Sequence, residues 1–209
     1  MLNRILDDQA RAEYAPAIDE LFVHAPVMMT RKLPRANVQQ AFVYDTVKKF
    51  AKPDDHLLCV GAYEDTAYES LKNQGYSNIM PLDPVGFGTA TLEEFSKNTC
   101  QYAIVFSTSV LEHVADDEEH MRCMCKSIAP GGYGVMTLDF QPGFKPGDRV
   151  PTTDFRFYTK DDLMNRLLPI LREQGCELVD APQWDCEKVD FEWEGIPYTF
   201  ATLVFKKEK

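Results

Sequence analysis

Along the first fifty residues, apolar positions recur at helical spacing. In NVQQAFVYDTVKKF they fall at 38, 41, 42, 43, 47 and 50, and residues 1–51 read as helical until Pro53 ends the run. The period then changes. HLLCVG is a short continuous apolar run, the pattern of a strand buried on both faces. DTAYESLKNQG reads as a helix stopped at Gly75, SNIMPLD as a second strand, TLEEFSKN as a short helix, and YAIVFSTS as a third strand rich in β-formers. ADDEEHMRCMCKSIAPGG is a helix whose first turn holds Asp116 to Glu119, acids that complement the positive end of the helix dipole. Its end at Ala129-Pro130-Gly131-Gly132 fits a left-handed glycine cap, and YGVMTLDF is the next strand.

Past residue 140 the alternation breaks. QPGFKPGDRVPTTDFRFYT reads as a long ordered loop, and loops of that length inside a compact domain are usually functional. KDDLMNRLLPILREQG is a helix, and CELVDAPQW and YTFATLVFKKE are two closing strands with no helix between them. Repeated βα units predict a doubly wound α/β fold. It has a mostly parallel sheet of about seven strands, a C-terminal antiparallel strand, and helices on both faces.

Composition narrows the function. The 209 residues, 44 % apolar and 26 % charged, suit one globular domain. No apolar stretch approaches membrane-span length, and the acidic N-terminus MLNRILDDQARAEY lacks the apolar core of a signal peptide. A net charge of −11 argues against a nucleic-acid partner. The six cysteines, at 59, 100, 123, 125, 176 and 186, have no C-x-x-C spacing and read as reduced thiols of a cytoplasmic protein. No histidine pair has metal-ligand spacing, and no metal is expected.

In doubly wound sheets the ligand lies beyond the carboxyl ends of the strands. Those ends carry Gly61-Ala62-Tyr63-Glu64-Asp65, Asp83-Pro84, Ser107-Thr108-Ser109 with Glu112-His113, and Asp139. Asp83 lies about 20 residues beyond Gly61, the spacing of an acid that accepts from a ribose diol. Gly86-Phe87-Gly88 lacks a third glycine and reads as a loop.

With these residues in order, VFSTSVLEHVADDEEHMRCMCKSIAPGGYGVMTLDF resembles the second half of a class I S-adenosylmethionine-dependent methyltransferase. The likeness covers about residues 55 to 140. It implies that S-adenosylmethionine is the cofactor, released as S-adenosylhomocysteine. Gly61, with Ala62, Tyr63 and Glu64, would form the first cofactor loop, Asp83 and Pro84 the ribose end, and Ser107 the wall beside the methionine part. His113 would stand near the substrate as the candidate base. The sequence departs from the family at Cys59, Tyr63, Asp65 and Tyr102, and only Thr91, Leu92 and Glu93 offer themselves near the adenine. The missing glycines are tolerable because this cofactor brings no phosphate to cradle. Glu64 and Asp65 suit its ammonium group and would repel a pyrophosphate.

The resemblance makes residues 1–52 a helical lid and 141–158 an inserted loop on the acceptor side. Arg31, Arg149 and Arg156, with Lys32, Arg35 and Lys145, predict an anionic acceptor such as a phosphorylated or nucleotide-linked sugar, methylated on oxygen. WDCEKVDFEWEG reads as a decorated strand connection, with a substrate rim or a homodimer contact as the other readings. A degenerate, non-catalytic partner protein and an NAD-dependent oxidoreductase are the competing functions.

Overall fold

The computed structural model describes residues 1–98 and 101–209, so the expectation for Cys100 lies outside the described residues. Among the described residues the sheet has seven strands. β1 (Leu57–Val60), β2 (Ile79–Leu82), β3 (Tyr102–Thr108) and β4 (Ile128–Phe140) are parallel in the order β2-β1-β3-β4. β7 (Ile196–Lys207) runs antiparallel beside β4, and β5 (Cys176–Leu178) pairs antiparallel on its far side. β6 (Phe191–Trp193) folds back on β7 through the two-residue turn Glu194-Gly195, both with positive φ, the turn whose twist matches paired strands. The expected doubly wound sheet, with one C-terminal antiparallel strand in its body, is what forms.

Alternate residues of each strand feed two core layers. Leu57 and Cys59 of β1, with Ile104 and Phe106 of β3, face α4 (Asn37–Phe50) and α5 (Thr66–Asn73). Leu58, Val60 and Val105 face α7 (Asp117–Ser127) and the continuous helical segment 160–173, α8. The middle of α8, Leu163–Leu167, is wound as a π-helix just before Pro169, which has no N–H to donate to the ladder.

Four expectations need correction. The first seven residues are not helical. They lie extended against β7, with Ile5 bridging Ala201 and the Leu6 N–H donating to Phe200 O at 2.8 Å, and helix begins only at α1 (Asp8–Glu13). α4 is not part of a lid. Val38, Ala41, Phe42, Val43, Tyr44 and Val47 are fully buried and make it a core helix. Pro130-Gly131-Gly132 does not cap α7, which ends at an extended Ile128; it lies inside β4, where the register with β3 jumps from Tyr102–Ile128 to Ile104–Tyr133. Gly131 takes φ +82° there, and a Cβ on Gly132 would stand 2.7 Å from Ala103 O, so both glycines serve a bulge. Part of WDCEKVDFEWEG is β6 itself, not a connection.

Candidate functional site

A cavity of about 760 Å³ opens at the carboxyl ends of β1, β2 and β3, within the usual size of small-molecule sites. Its floor is the loop after β1. Gly61 has φ +73°, and a Cβ there would lie 2.4 Å from Val110 Cγ2, so the glycine serves both the turn and the packing of the next strand end. Asp65 caps α5, one oxygen accepting from the Tyr68 N–H at 2.7 Å. Its other oxygen is buried without a partner, and burial raises its pKa. Thr108 Oγ1, at the end of β3, is likewise buried and unpartnered, and both residues line the cavity.

Tyr63, in the place of a family glycine, does not fill this space. Its ring lies over Gly86, where a Cβ would come within 2.2 Å of it, and the side chain is 56 % exposed at the cavity rim. Gly86, read from sequence as an indifferent loop glycine, is the platform for that ring. Glu64 lines the rim in a left-handed conformation and pairs with Arg31 at 2.6 Å. Ala62 points into the core instead.

Asp83 lines the cavity at the end of β2, beside Pro84. Its carboxylate accepts from the backbone N–H groups of Val85, Gly86 and Tyr63, at 2.9, 2.7 and 3.2 Å. A carboxylate offers about four acceptor positions, so it can stitch the two loops together and still take a ligand hydroxyl. At the far end, Thr91, Leu92 and Glu93 all line the wall. His120 Nδ1 meets Glu93 Oε1 at 2.8 Å and that contact holds the Glu93 carboxyl down at about 2.

His113 lines the same cavity, and its Nδ1 lies 2.9 Å from Asp154 Oδ1 and 3.2 Å from Thr153 O. Burial works against the charged ring, but the Asp154 carboxylate outweighs it and the pKa rises. His113 also lines an annex of about 230 Å³, walled by Glu112, Asp139 and Asp154 together with Phe191, Tyr198 and Phe200. Ser109 joins the two spaces. Its hydroxyl is 2.5 Å from Gln39 Oε1 and 3.2 Å from Asp139 Oδ1, on a backbone with φ +49°. Among the described residues the non-glycine positions with positive φ are Glu64, Ser109 and Glu194, two in the cavity wall and one in the turn beside Trp193 of the annex. Such backbone strain concentrates where a site needs a fixed geometry.

The sequence placed several residues wrongly. Ser107 is buried with an unpartnered hydroxyl but does not line the cavity; Thr108 and Ser109 do. The cations do not assemble around an anion. Arg31 is held by Glu64, Arg149 donates to Glu194 O at 3.0 Å, and Arg156 pairs with Asp117 at 2.7 Å and caps Val114 O and Ala115 O. Arg35 binds Asp8 and the Asp190 carbonyl. Missed altogether were Asp154, Gln39, Tyr198 and Phe200, while Phe191 and Trp193 lie in WDCEKVDFEWEG, for which a substrate rim was one of the alternative readings. Asp154 sits in the 141–158 loop, which the Phe155 N–H pins to Glu112 O at 2.9 Å. Only the unusual length of that loop signalled it.

Sheet order, cavity position and strand-end residues together define the fold of the class I S-adenosylmethionine-dependent methyltransferases. No family model and no curated protein matches the sequence. Solved structures do. The chain aligns over its whole length with all of a Burkholderia thailandensis 1,6-didemethyltoxoflavin-N1-methyltransferase crystallised with S-adenosylhomocysteine, at 14 % identity and TM-score 0.56. TehB from Haemophilus influenzae matches 79 % of the chain at 13 % identity and TM-score 0.52, and the chain spans 61 % of that protein's length. The [4+2]-cyclase SpnF matches 81 % of the chain and 82 % of its own, at 16 % identity and TM-score 0.54.

Proposed function

We propose that the chain binds S-adenosylmethionine in the main cavity and directs methyl transfer to a small molecule seated beside His113. The observation that carries this is the buried, unpartnered Asp65 oxygen in the cavity floor, with Thr108 Oγ1 beside it. A buried polar atom without a partner calls for a ligand that completes it. An ammonium group does so at Asp65. Lys32 lines the same cavity and suits the neighbouring carboxylate, Asp83 suits a ribose hydroxyl, and Glu93 stands at the end left for the adenine. The acidic floor disfavours a pyrophosphate and so an NAD-type ligand.

The cofactor, when bound, supplies a methyl group on a positively charged sulfur. The rest falls to the chain's own residues. Alignment of acceptor and methyl group accounts for most of the barrier reduction in such a displacement. The strained Ser109 and the Glu64–Arg31 pair fix the walls that align them. His113, with Nδ1 held by Asp154, keeps Nε2 for the acceptor and removes its proton where that acceptor is a hydroxyl.

A second reading is favoured by one neighbour. The likeness to a cyclase admits a chain that keeps the cavity without transferring methyl. Calorimetry separates the readings. S-adenosylhomocysteine is expected to bind in the micromolar range, and Asp83→Ala to weaken it at least tenfold, the loss of a charge-assisted hydrogen bond of about 1.5–3 kcal/mol. Absence of binding by the unmodified chain sinks the cofactor reading, and an unchanged affinity in the variant sinks the ribose assignment.

A further inference from the structure

We propose that the annex beside His113 takes an acceptor with a basic nitrogen, a compact amine that enters as its ammonium ion and is methylated on that nitrogen. This rests on the cofactor reading above and replaces the anionic acceptor expected from the arginines. Glu112 carries the argument. Its side chain is 0 % exposed and lines the annex, where its polar neighbours are the Ser109 hydroxyl and the Asp139 carboxyl and no cation is paired with it. Asp139 and Asp154 line the same space, and among the described residues no lysine or arginine does. His113 is the one basic side chain that lines it among the described residues, and its Nδ1 is already beside Asp154.

An acceptor phosphate or carboxylate would meet a cluster of three carboxyl groups that already resist ionising together. An alcohol would donate a single hydrogen bond and bring no charge to relieve that crowding. An ammonium ion brings both a positive charge and up to three N–H donors. The rest of the lining suits it too. Phe191 lies 5.0 Å from Tyr198 and 4.9 Å from Phe200, centroid to centroid, and the rings form a continuous aromatic surface. Aromatic faces attract cations and shelter an apolar stem.

The proton balance closes with residues already present. Burial, and then the Asp154 charge, push the Glu112 carboxyl up to about 7, the range of a useful proton acceptor near neutrality. The bound ammonium gives one proton to Glu112. The nitrogen lone pair then forms the N–C bond as the C–S bond breaks, the bonding pair returns to sulfur, and the positive charge passes to nitrogen. The product leaves as a methylated ammonium ion, and Glu112 returns its proton to water.

The test is calorimetry at pH 7.5 on the full chain saturated with S-adenosylhomocysteine, using three probes of one shape: phenethylamine, 2-phenylethanol and phenylacetate. The amine is expected to bind at least tenfold more tightly than either isostere. Glu112→Gln is expected to cut amine affinity at least tenfold and leave S-adenosylhomocysteine affinity within twofold. Asp139→Asn, at the neighbouring carboxyl, gives the same pattern. Equal or tighter binding of the alcohol or the carboxylate overturns the proposal, as does binding of none of the three, while S-adenosylhomocysteine still binds. Failure of S-adenosylhomocysteine itself to bind removes the cofactor reading and this proposal with it.

Discussion

Glu112→Gln should make the free protein more stable, and the size of the gain follows from the site. Burial and the Asp154 charge raise the Glu112 pKa from 4.5 to about 7. The folded chain therefore holds a proton between those values that the unfolded chain has released. Stability falls as pH rises through that window, then levels off above it. At about 1.4 kcal/mol per decade of proton affinity, the shift corresponds to about 3 kcal/mol lost by pH 8. Asp139, Asp154, His113, Ser109 and Tyr198 face the same annex. Burial and the Glu112 and Asp154 charges also raise Asp139, which adds to the slope with the same sign. A glutamine amide removes the charge and can donate to those carboxylates, but burying it imperfectly costs about 1–3 kcal/mol. A net gain of about 1–2 kcal/mol at pH 8 remains, or roughly 2–8 °C in Tm for a chain of this size. Thermal unfolding of both proteins at pH 8 and pH 4.5 measures it. The gain should be present at pH 8 and absent at pH 4.5. A variant less stable at pH 8, or equally favoured at both pH values, refutes the account of Glu112 as a bare buried acid.

Other substitutions probe other contacts. Gly86→Ala should displace the Tyr63 side chain and lower Tm by several degrees, and Tyr63→Gly in the same chain should restore part of the loss, because the overlap is with the Tyr63 Cβ as well as its ring; a double variant no better than the single would show that the backbone of the loop is the cause. Gly61→Ala should destabilise by about 1–3 kcal/mol through its left-handed backbone and the Val110 overlap, read by chemical denaturation. Arg156→Ala removes one of two arginines from the nearly buried Asp117 carboxylate, so a loss of about 1–3 kcal/mol in stability is expected with acceptor KM within twofold; a KM change of tenfold or more would return Arg156 to the acceptor site.

The parallel half of the fold was legible because each of its strands is a local apolar run closed by a local turn. HLLCVG and YAIVFSTS carry their own signal. The extended residues 1–7 were not legible, because their pairing is with β7 nearly two hundred positions away. The site shows the same division. Gly61 and Asp83 announce themselves by spacing within one βα unit. The annex draws Glu112 from the turn after β3, Asp139 from β4, Asp154 from a loop and its aromatic rings from the β6–β7 hairpin. No periodicity links those segments. The arginines misled for the complementary reason: a cation in sequence says nothing of its partner, and Glu64, Asp117 and the Glu194 carbonyl had already taken them.

The place of β7 bears on how the chain is made. It lies between β4 and β5 inside the sheet, yet follows every other strand in sequence, and residues 3 to 6 dock on it. On a ribosome residues 3 to 6 emerge long before β7 and must wait for it before their hydrogen bonds can close. Until then β4 presents an open edge, of the kind that pairs promiscuously with other chains. Folding should finish only after the exit tunnel releases β7, and stalled or truncated nascent chains should be prone to aggregation and dependent on chaperones.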